Sequence, residues 1–340
     1  MKAASGRQKA EGRRQKAGSR SSFILRPSAL REARVLVVGD AMLDRYWIGE
    51  VERISPEAPV PIVRIDREEE RAGGAANVAR NAAALGAQVT LLSVVGADEP
   101  GTRLEALLKS ERVHPRLHHD RGIKTTVKLR VIAGRKQQLL RVDFETPPNH
   151  EVLASKLRDF ERLLGEADAV VLSDYGKGGL SHIVKMIGMA RRRGKMVLID
   201  PKGADYSRYR GATVITPNRD EFERVAGAWT DERDLERRAQ QLRRKLDVRA
   251  LLVTRGEKGM TLFHGGARFH VRAQAREVSD VSGAGDTVIA TLAVALAGGA
   301  RMKDAVQLAN RAAGIVVGKF GTAVVVPDEL FGRGSLPSGE

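Results

Sequence analysis

Through residues 151–253, short apolar runs alternate with stretches of helical period, and no other feature narrows the fold as far. The spacing predicts helices at 152–165, 180–193, 219–226 and 231–246, and strands at 169–172, 196–199, 213–215 and 250–253. Such alternation implies parallel strands covered by helices on both faces. Val35-Leu36-Val37-Val38 before Gly39-Asp40 predicts another buried strand, and residues 88–95 a further one. The expected class is α/β, with a mostly parallel central sheet. Ligands in such sheets collect at the carboxyl ends of the strands.

Polar clusters fall at those ends. They are Ser173-Asp174-Tyr175-Gly176-Lys177-Gly178, Asp200-Pro201-Lys202, Thr216-Pro217-Asn218-Arg219-Asp220-Glu221 and Thr254-Arg255-Gly256-Glu257-Lys258-Gly259. Asn218 with Glu221 makes a capping box, and the same pair suits a hydrated magnesium ion bridging nucleotide phosphates. Lys177 and Lys202 are either solvated loop lysines or cations that neutralise a phosphoryl group. The 254–259 stretch either turns the chain or offers open backbone to an adenine and ribose. His114 and His118 have metal-ligand spacing for a helix, but Pro115 intervenes and no third ligand is evident.

Residues 279–297 carry the sharpest chemical signal. Gly283-Ala284-Gly285-Asp286 precedes the apolar run Val288, Ile289, Leu292, Ala293, Val294, Leu296, dense enough for a buried helix. A helix start leaves backbone N–H groups unpaired, and glycines let an anion approach them. Asp286 is then either an ordinary helix-capping acid or a base that takes a proton from a hydroxyl while the amides receive phosphoryl charge. A Gly-x-x-x-x-Gly-Lys-Ser/Thr loop and a Gly-x-Gly-x-x-Gly helix opening are both missing, so any phosphate site must be this one.

Residues 44–66 read as short edge strands interrupted by prolines, and residues 125–132 and 137–142 as a hairpin around Gly134-Arg135; together they suit a lid at about 44–66 and 124–145. Residues 71–79 read as the opening of a small-residue helix, with Gly73 and Gly74 letting a ligand approach and Asn77 one turn in. The net charge of +16 raises a nucleic-acid reading, but much of it lies in residues 1–32, which hold nine Lys/Arg and read as a disordered tail. With no cysteine, disulfide frameworks and thiolate metal sites are excluded. No apolar run is long enough to cross a bilayer, and the expected location is cytoplasmic. One ordered unit is expected at 33–330, with a flexible end at 331–340.

Taken in order and separation, Gly73-Gly74, the Asn218–Glu221 cluster and Gly283-Ala284-Gly285-Asp286 resemble the ribokinase (PfkB) family of sugar kinases, over about residues 34–327. Gly39-Asp40-Ala41-Met42-Leu43-Asp44-Arg45-Tyr46-Trp47, Ile54-Ser55-Pro56-Glu57-Ala58-Pro59-Val60-Pro61 and the 280–290 stretch resemble the branch acting on D-glycero-β-D-manno-heptose 7-phosphate. The resemblance implies a ribokinase-like fold with a small β-sheet lid, and ATP-dependent phosphorylation of the anomeric hydroxyl for ADP-heptose and lipopolysaccharide inner-core synthesis. It implies Asp286 as base and Gly283, Ala284 and Gly285 as anion hole. Asn218 and Glu221 would contact Mg2+, with Arg219 and Asp220 between them. Thr254, Gly256, Glu257, Gly259 and Asn310 would wall the nucleotide. Asp44, Gly73, Gly74, Asn77, Arg141 and Glu145 would line the sugar, with Asp174, Lys177 and Lys202 near its phosphate or the transferring group. Many relatives carry Thr where this chain has Val281, beside the family's monovalent-cation loop, so K+ activation stays open. Bifunctional relatives add a His-x-Gly-His nucleotidyltransferase domain; this chain has no such motif, and a separate protein is expected to complete the pathway. Edge-like lid strands imply a homodimer formed through the lid, without nucleic acid or membrane insertion. Another sugar kinase of the same family, and more distantly a nucleic-acid-binding protein, are the alternatives.

Overall fold

The structure is a computed structural model and describes residues 27–134, 137–274, 278–319 and 321–332. In chain order the strands are β1 (Arg34–Gly39), β2 (Ala41–Ile54), β3 (Pro61–Gly74), β4 (Gln88–Gly96), β5 (Val113–Asp120), β6 (Val127–Ala133), β7 (Gln137–Phe144), β8 (Ala169–Ser173), β9 (Met196–Asp200), β10 (Val214–Ile215), β11 (Ala250–Thr254), β12 (Met260–His264) and β13 (Ala267–Val271). The helices are α1 (Pro27–Glu32), α2 (Ala75–Ala84), α3 (Glu99–Ser110), α4 (His150–Leu163), α5 (Ile183–Arg192), α6 (Arg219–Ala226), α7 (Glu232–Lys245), α8 (Ala284–Ala297), α9 (Met302–Val316) and α10 (Pro327–Phe331).

One sheet runs β13-β12-β11-β10-β9-β8-β1-β4-β5, parallel from β11 to β5, with β12 and β13 antiparallel. Strand alternation divides the core between its faces. Val35 and Val37 join α1, α2, α8 and α9 on one side, while Leu36 and Val38 join α4, α5 and α7 on the other. β1 lies between β4 and β8, so the chain reverses its direction of travel across the sheet there. The crevice outside the carboxyl end of β1 is thus a natural ligand site.

The second sheet, β3-β2-β6-β7, contains the segments expected to form the lid and is termed the lid sheet. Its two long strands correct the expectation of short edge pieces: β2 and β3 each run 14 residues, with Pro56 and Pro59 in the loop and Pro61 at the strand start, where a missing N–H costs least. Gly73 and Gly74 also belong to β3, and the helix starts only at Ala75. At Gly73 a Cβ would sit 2.4 Å from Asp44 Oδ2, and Gly74 has φ 57°, so the glycines serve a tight strand-to-helix junction.

Three further expectations change. Residues 27–32, assigned to a disordered tail, form α1, because Leu30 is fully buried in the core; residues 1–26 lie outside the described residues, as do 333–340. His114 and His118 stand on strand β5 rather than a helix, and His118 Nε2 is 3.1 Å from Asp159. The hairpin tip at 135–136 lies outside the described residues, though β6 and β7 do pair antiparallel.

Candidate active site

Helix α8 is buried from Asp286 to Leu296, so its axis is fixed by the core and its N-terminus opens at the carboxyl end of the sheet. Gly283 supplies the left-handed turn, at φ 77°. The Ala284 amide closes back on the Val281 carbonyl at 3.2 Å, which removes it from the expected anion hole. The Gly283, Gly285 and Asp286 amides donate to no acceptor among the described residues. A Cβ built on Gly285 would meet nothing within 4 Å, so the glycine faces open space beside unpaired N–H groups.

Asp286, only 7% exposed, holds two short hydrogen bonds. Asn77 Nδ2 donates to Oδ2 at 2.6 Å, and the Tyr175 hydroxyl donates to Oδ1 at 2.6 Å. Burial pushes its carboxyl up to about 6; the Tyr175 and Asn77 hydrogen bonds oppose that, Asp44 adds to it and Lys128 lowers it. Asn77 is held in turn by α2 and α8: Asn81 Nδ2 donates to its Oδ1 at 3.2 Å, and the Thr287 hydroxyl donates to Asn81 Oδ1 at 2.9 Å. That chain fixes which way the Asn77 amide points.

Beyond the helix start lies a cavity of about 330 Å³, mostly apolar in its lining. Thr254, Gly256, Glu257, Gly259 and Asn310 all border it, together with Gly285. Asn310 Nδ2 donates to the Arg272 carbonyl at 2.8 Å, which ties α9 to the chain after β13. Arg219 and Asp220 do not border this cavity; Arg219 pairs with Glu223 at 3.0 Å and stacks over Trp229.

Asn218 and Glu221 form the capping box in full. Asn218 Oδ1 accepts the Glu221 N–H at 2.9 Å and Glu221 Oε2 accepts the Asn218 N–H at 3.0 Å. Glu221 Oε1 remains, 3.4 Å from Lys202 Nζ. Nearby, Asp200 receives no hydrogen bond at its carboxylate among the described residues, and burial with Asp286 and Glu221 as neighbours raises its pKa well above the usual range. Under-compensated carboxylate oxygens of this kind suit a hard, hydrated divalent cation.

The lid brings a charged face over the same crevice. Asp44, 5% exposed, accepts from Arg130 Nη1 at 2.7 Å, and the Arg71 and Arg130 guanidiniums lie over the Tyr46 ring. Lys128 is opposite Asp44 in register, and Arg141 opposite Arg130. Arg141 pairs with Asp143 at 2.9 Å, and Lys177 with Glu145. Asp174 is turned inward: it accepts from the Gly176 amide and the Tyr209 hydroxyl.

The structure thus gathers Asp286, Asn77, Asp44, Gly73 and the α8 glycines around one crevice. Sequence reading gave no site role to Tyr175, Lys128, Arg130 or Asp200. Tyr175 lay inside a polar cluster already singled out, and the Val-Lys-Leu-Arg-Val alternation of 127–131 places Lys128 and Arg130 on one face.

Comparison with known proteins follows the same line. Residues 32–329 match the model of the pfkB family carbohydrate kinases. The chain is 58% identical over 304 residues to a D-beta-D-heptose 7-phosphate kinase of Bordetella bronchiseptica, covering 89% of this chain and 97% of that protein. It is 54% identical over 299 residues to the bifunctional protein HldE of Methylococcus capsulatus, covering 88% of this chain but 63% of that protein's length. Among solved structures, Arabidopsis thaliana ribokinase complexed with ribose and ATP superposes with TM-score 0.71 at 21% identity, covering 88% of this chain and 98% of that one. Escherichia coli phosphofructokinase-2 in complex with potassium gives TM-score 0.73 at 21% identity, covering 88% and 97%. At that identity the two structures bear on the fold alone. Since the family match spans nearly every described residue and the sheet, lid and α8 start agree with it, this chain belongs to the pfkB family of carbohydrate kinases.

Proposed function

We propose that the protein transfers the γ-phosphoryl group of ATP to the anomeric hydroxyl of D-glycero-β-D-manno-heptose 7-phosphate, giving the 1,7-bisphosphate for ADP-heptose synthesis. The observation that carries the chemistry is the buried Asp286 carboxylate beside unpaired amides at the start of α8. The heptose phosphate assignment rests on the 58% identity to the Bordetella kinase. Asp286 accepts the proton of the sugar hydroxyl as that oxygen bonds to the γ-phosphorus. The bond to the bridging oxygen of ADP breaks, and the α8 amides meet the charge on the transferred group. Mg2+, when bound, offsets phosphate charge; Glu221, Asn218 and Asp200 are the residues that would hold it, directly or through water. The apolar cavity beside Asn310 takes the adenine, and the lid's Asp44, Lys128 and Arg130 take the sugar phosphate. K+ is proposed only as an activator to be titrated, since Val281 replaces the commoner Thr.

The reaction places the enzyme in the cytoplasm, where ATP is supplied, and among the described residues no helix is long and apolar enough to cross a membrane. Leu140 and Phe144 are 55% and 42% exposed on the outer lid strand, which supports pairing of two lids in a homodimer. A panel of hexose and heptose phosphates with an ADP-release readout tests the acceptor. The expected result is a strong preference for heptose 7-phosphate; faster turnover of a hexose phosphate would move the protein to another branch of the family.

A further inference from the structure

Tyr175 follows β8 in the loop at the sheet's switch point, and that loop is fixed from several sides. Asp40 Oδ2 accepts the Tyr175 and Lys177 amides, both at 3.0 Å, and Oδ1 accepts the Gly179 amide at 2.9 Å. Asp174 accepts the Gly176 amide at 2.9 Å, and Lys156, buried completely in α4, donates to the Gly179 carbonyl at 2.8 Å. So many bonds to one short segment leave the Tyr175 ring little freedom, and its hydroxyl ends 2.6 Å from Asp286 Oδ1. Lys128 of the lid lies 5.8 Å from the centre of the same ring.

We infer that Tyr175 is a positioning residue for the base: its hydroxyl, aimed by the Asp40-bound loop, fixes the rotation of the Asp286 carboxylate and holds it ionised to receive the acceptor proton. This rests on the reading of Asp286 as the base. The need for such a donor comes from the surroundings. Asp286 is faced by Asp44 from β2, which favours its protonated form, and by Lys128 from β6, Asn77 from α2 and Tyr175, which favour the anion; Asp200 of β9 is near enough that Asp286 raises its pKa in turn. Burial, with Asp286 and Asp200 nearby, raises the Tyr175 pKa far above its ordinary value, so it stays a donor throughout the working range. With Asn77 on the other oxygen, the carboxylate cannot rotate without breaking one of two short bonds.

The test uses full-length wild type, Tyr175→Phe, Asp286→Asn and the double variant, with ATP and heptose 7-phosphate, as kcat and kcat/KM against pH, with thermal melting in parallel. Removing a hydrogen bond to the anion raises the carboxyl pKa, so the acid limb of kcat/KM is expected to move up by roughly one pH unit. A fall in kcat of about tenfold, an unchanged KM for ATP and a melting curve close to wild type should accompany it. In the Asp286→Asn background the same substitution should change the rate by less than about twofold. An unmoved acid limb overturns the inference whether or not the rate falls, because lost packing alone lowers kcat without shifting a titration. Full turnover by Asp286→Asn would instead overturn the base assignment, so the two failures are distinguishable.

Discussion

A single methyl group separates a structural from a functional reading of Gly285. In the first turn of a helix, Gly→Ala ordinarily gains about 0.5–1 kcal/mol, and here the added Cβ meets no protein atom. The same space lies beside the unpaired amides. Gly285→Ala is therefore expected to melt at or slightly above the wild-type temperature while turnover falls by about tenfold or more, as measured by calorimetry and ADP release. A variant with normal turnover would remove the α8 start from the phosphate site. At this scale the glycines and acid before α8 marked a helix start open to an anion, but the motif alone left Asp286 either a cap or a base, and its proposed role came from the family resemblance. Tyr175 could not be named, since nothing local shows that a tyrosine after β8 reaches a residue 111 positions later.

Among the elements, the βα alternation from α4 to β11 fell close to its predicted bounds because each segment is buried by its own period. The lid did not. Its strands gain stability from one another rather than from a strong apolar alternation, and charged residues such as Glu68, Glu69 and Glu70 hid the second half of β3. The β12–β13 hairpin, left out of the sequence reading, turns at Gly265-Gly266, both at positive φ as a tight hairpin turn requires. At the α6 start the capping box occupies Asn218 Oδ1 and Glu221 Oε2 and leaves Glu221 Oε1 facing Lys202. Asn218→Ala with Glu221→Ala is expected to lower the melting temperature, since caps contribute about 1 kcal/mol, and also to raise the magnesium concentration for half-maximal rate. An unaltered magnesium titration would leave the pair a cap only.

For the whole molecule, the crevice lies between two sheets: Asp200 of β9, Asp40 after β1 and the α8 start lie on the central-sheet side, and the lid sheet supplies Asp44, Lys128 and Arg130. Such a site excludes water only while the lid stays in place, and a second lid packed on Leu140 and Phe144 would steady it. Light scattering at micromolar concentration is expected to give a dimer; a monomer would remove lid pairing. The proposed phosphoryl transfer assigns the base to Asp286. Asp286→Asn keeps the side chain's shape but cannot take the acceptor's proton. The direct measurement is single-turnover transfer from ATP to heptose 7-phosphate by this variant, with ATP binding recorded on the same protein. The expected result is transfer slowed by at least about a hundredfold with ATP affinity near wild type. Transfer within a fewfold of the wild-type rate would contradict the assignment of Asp286 as the base.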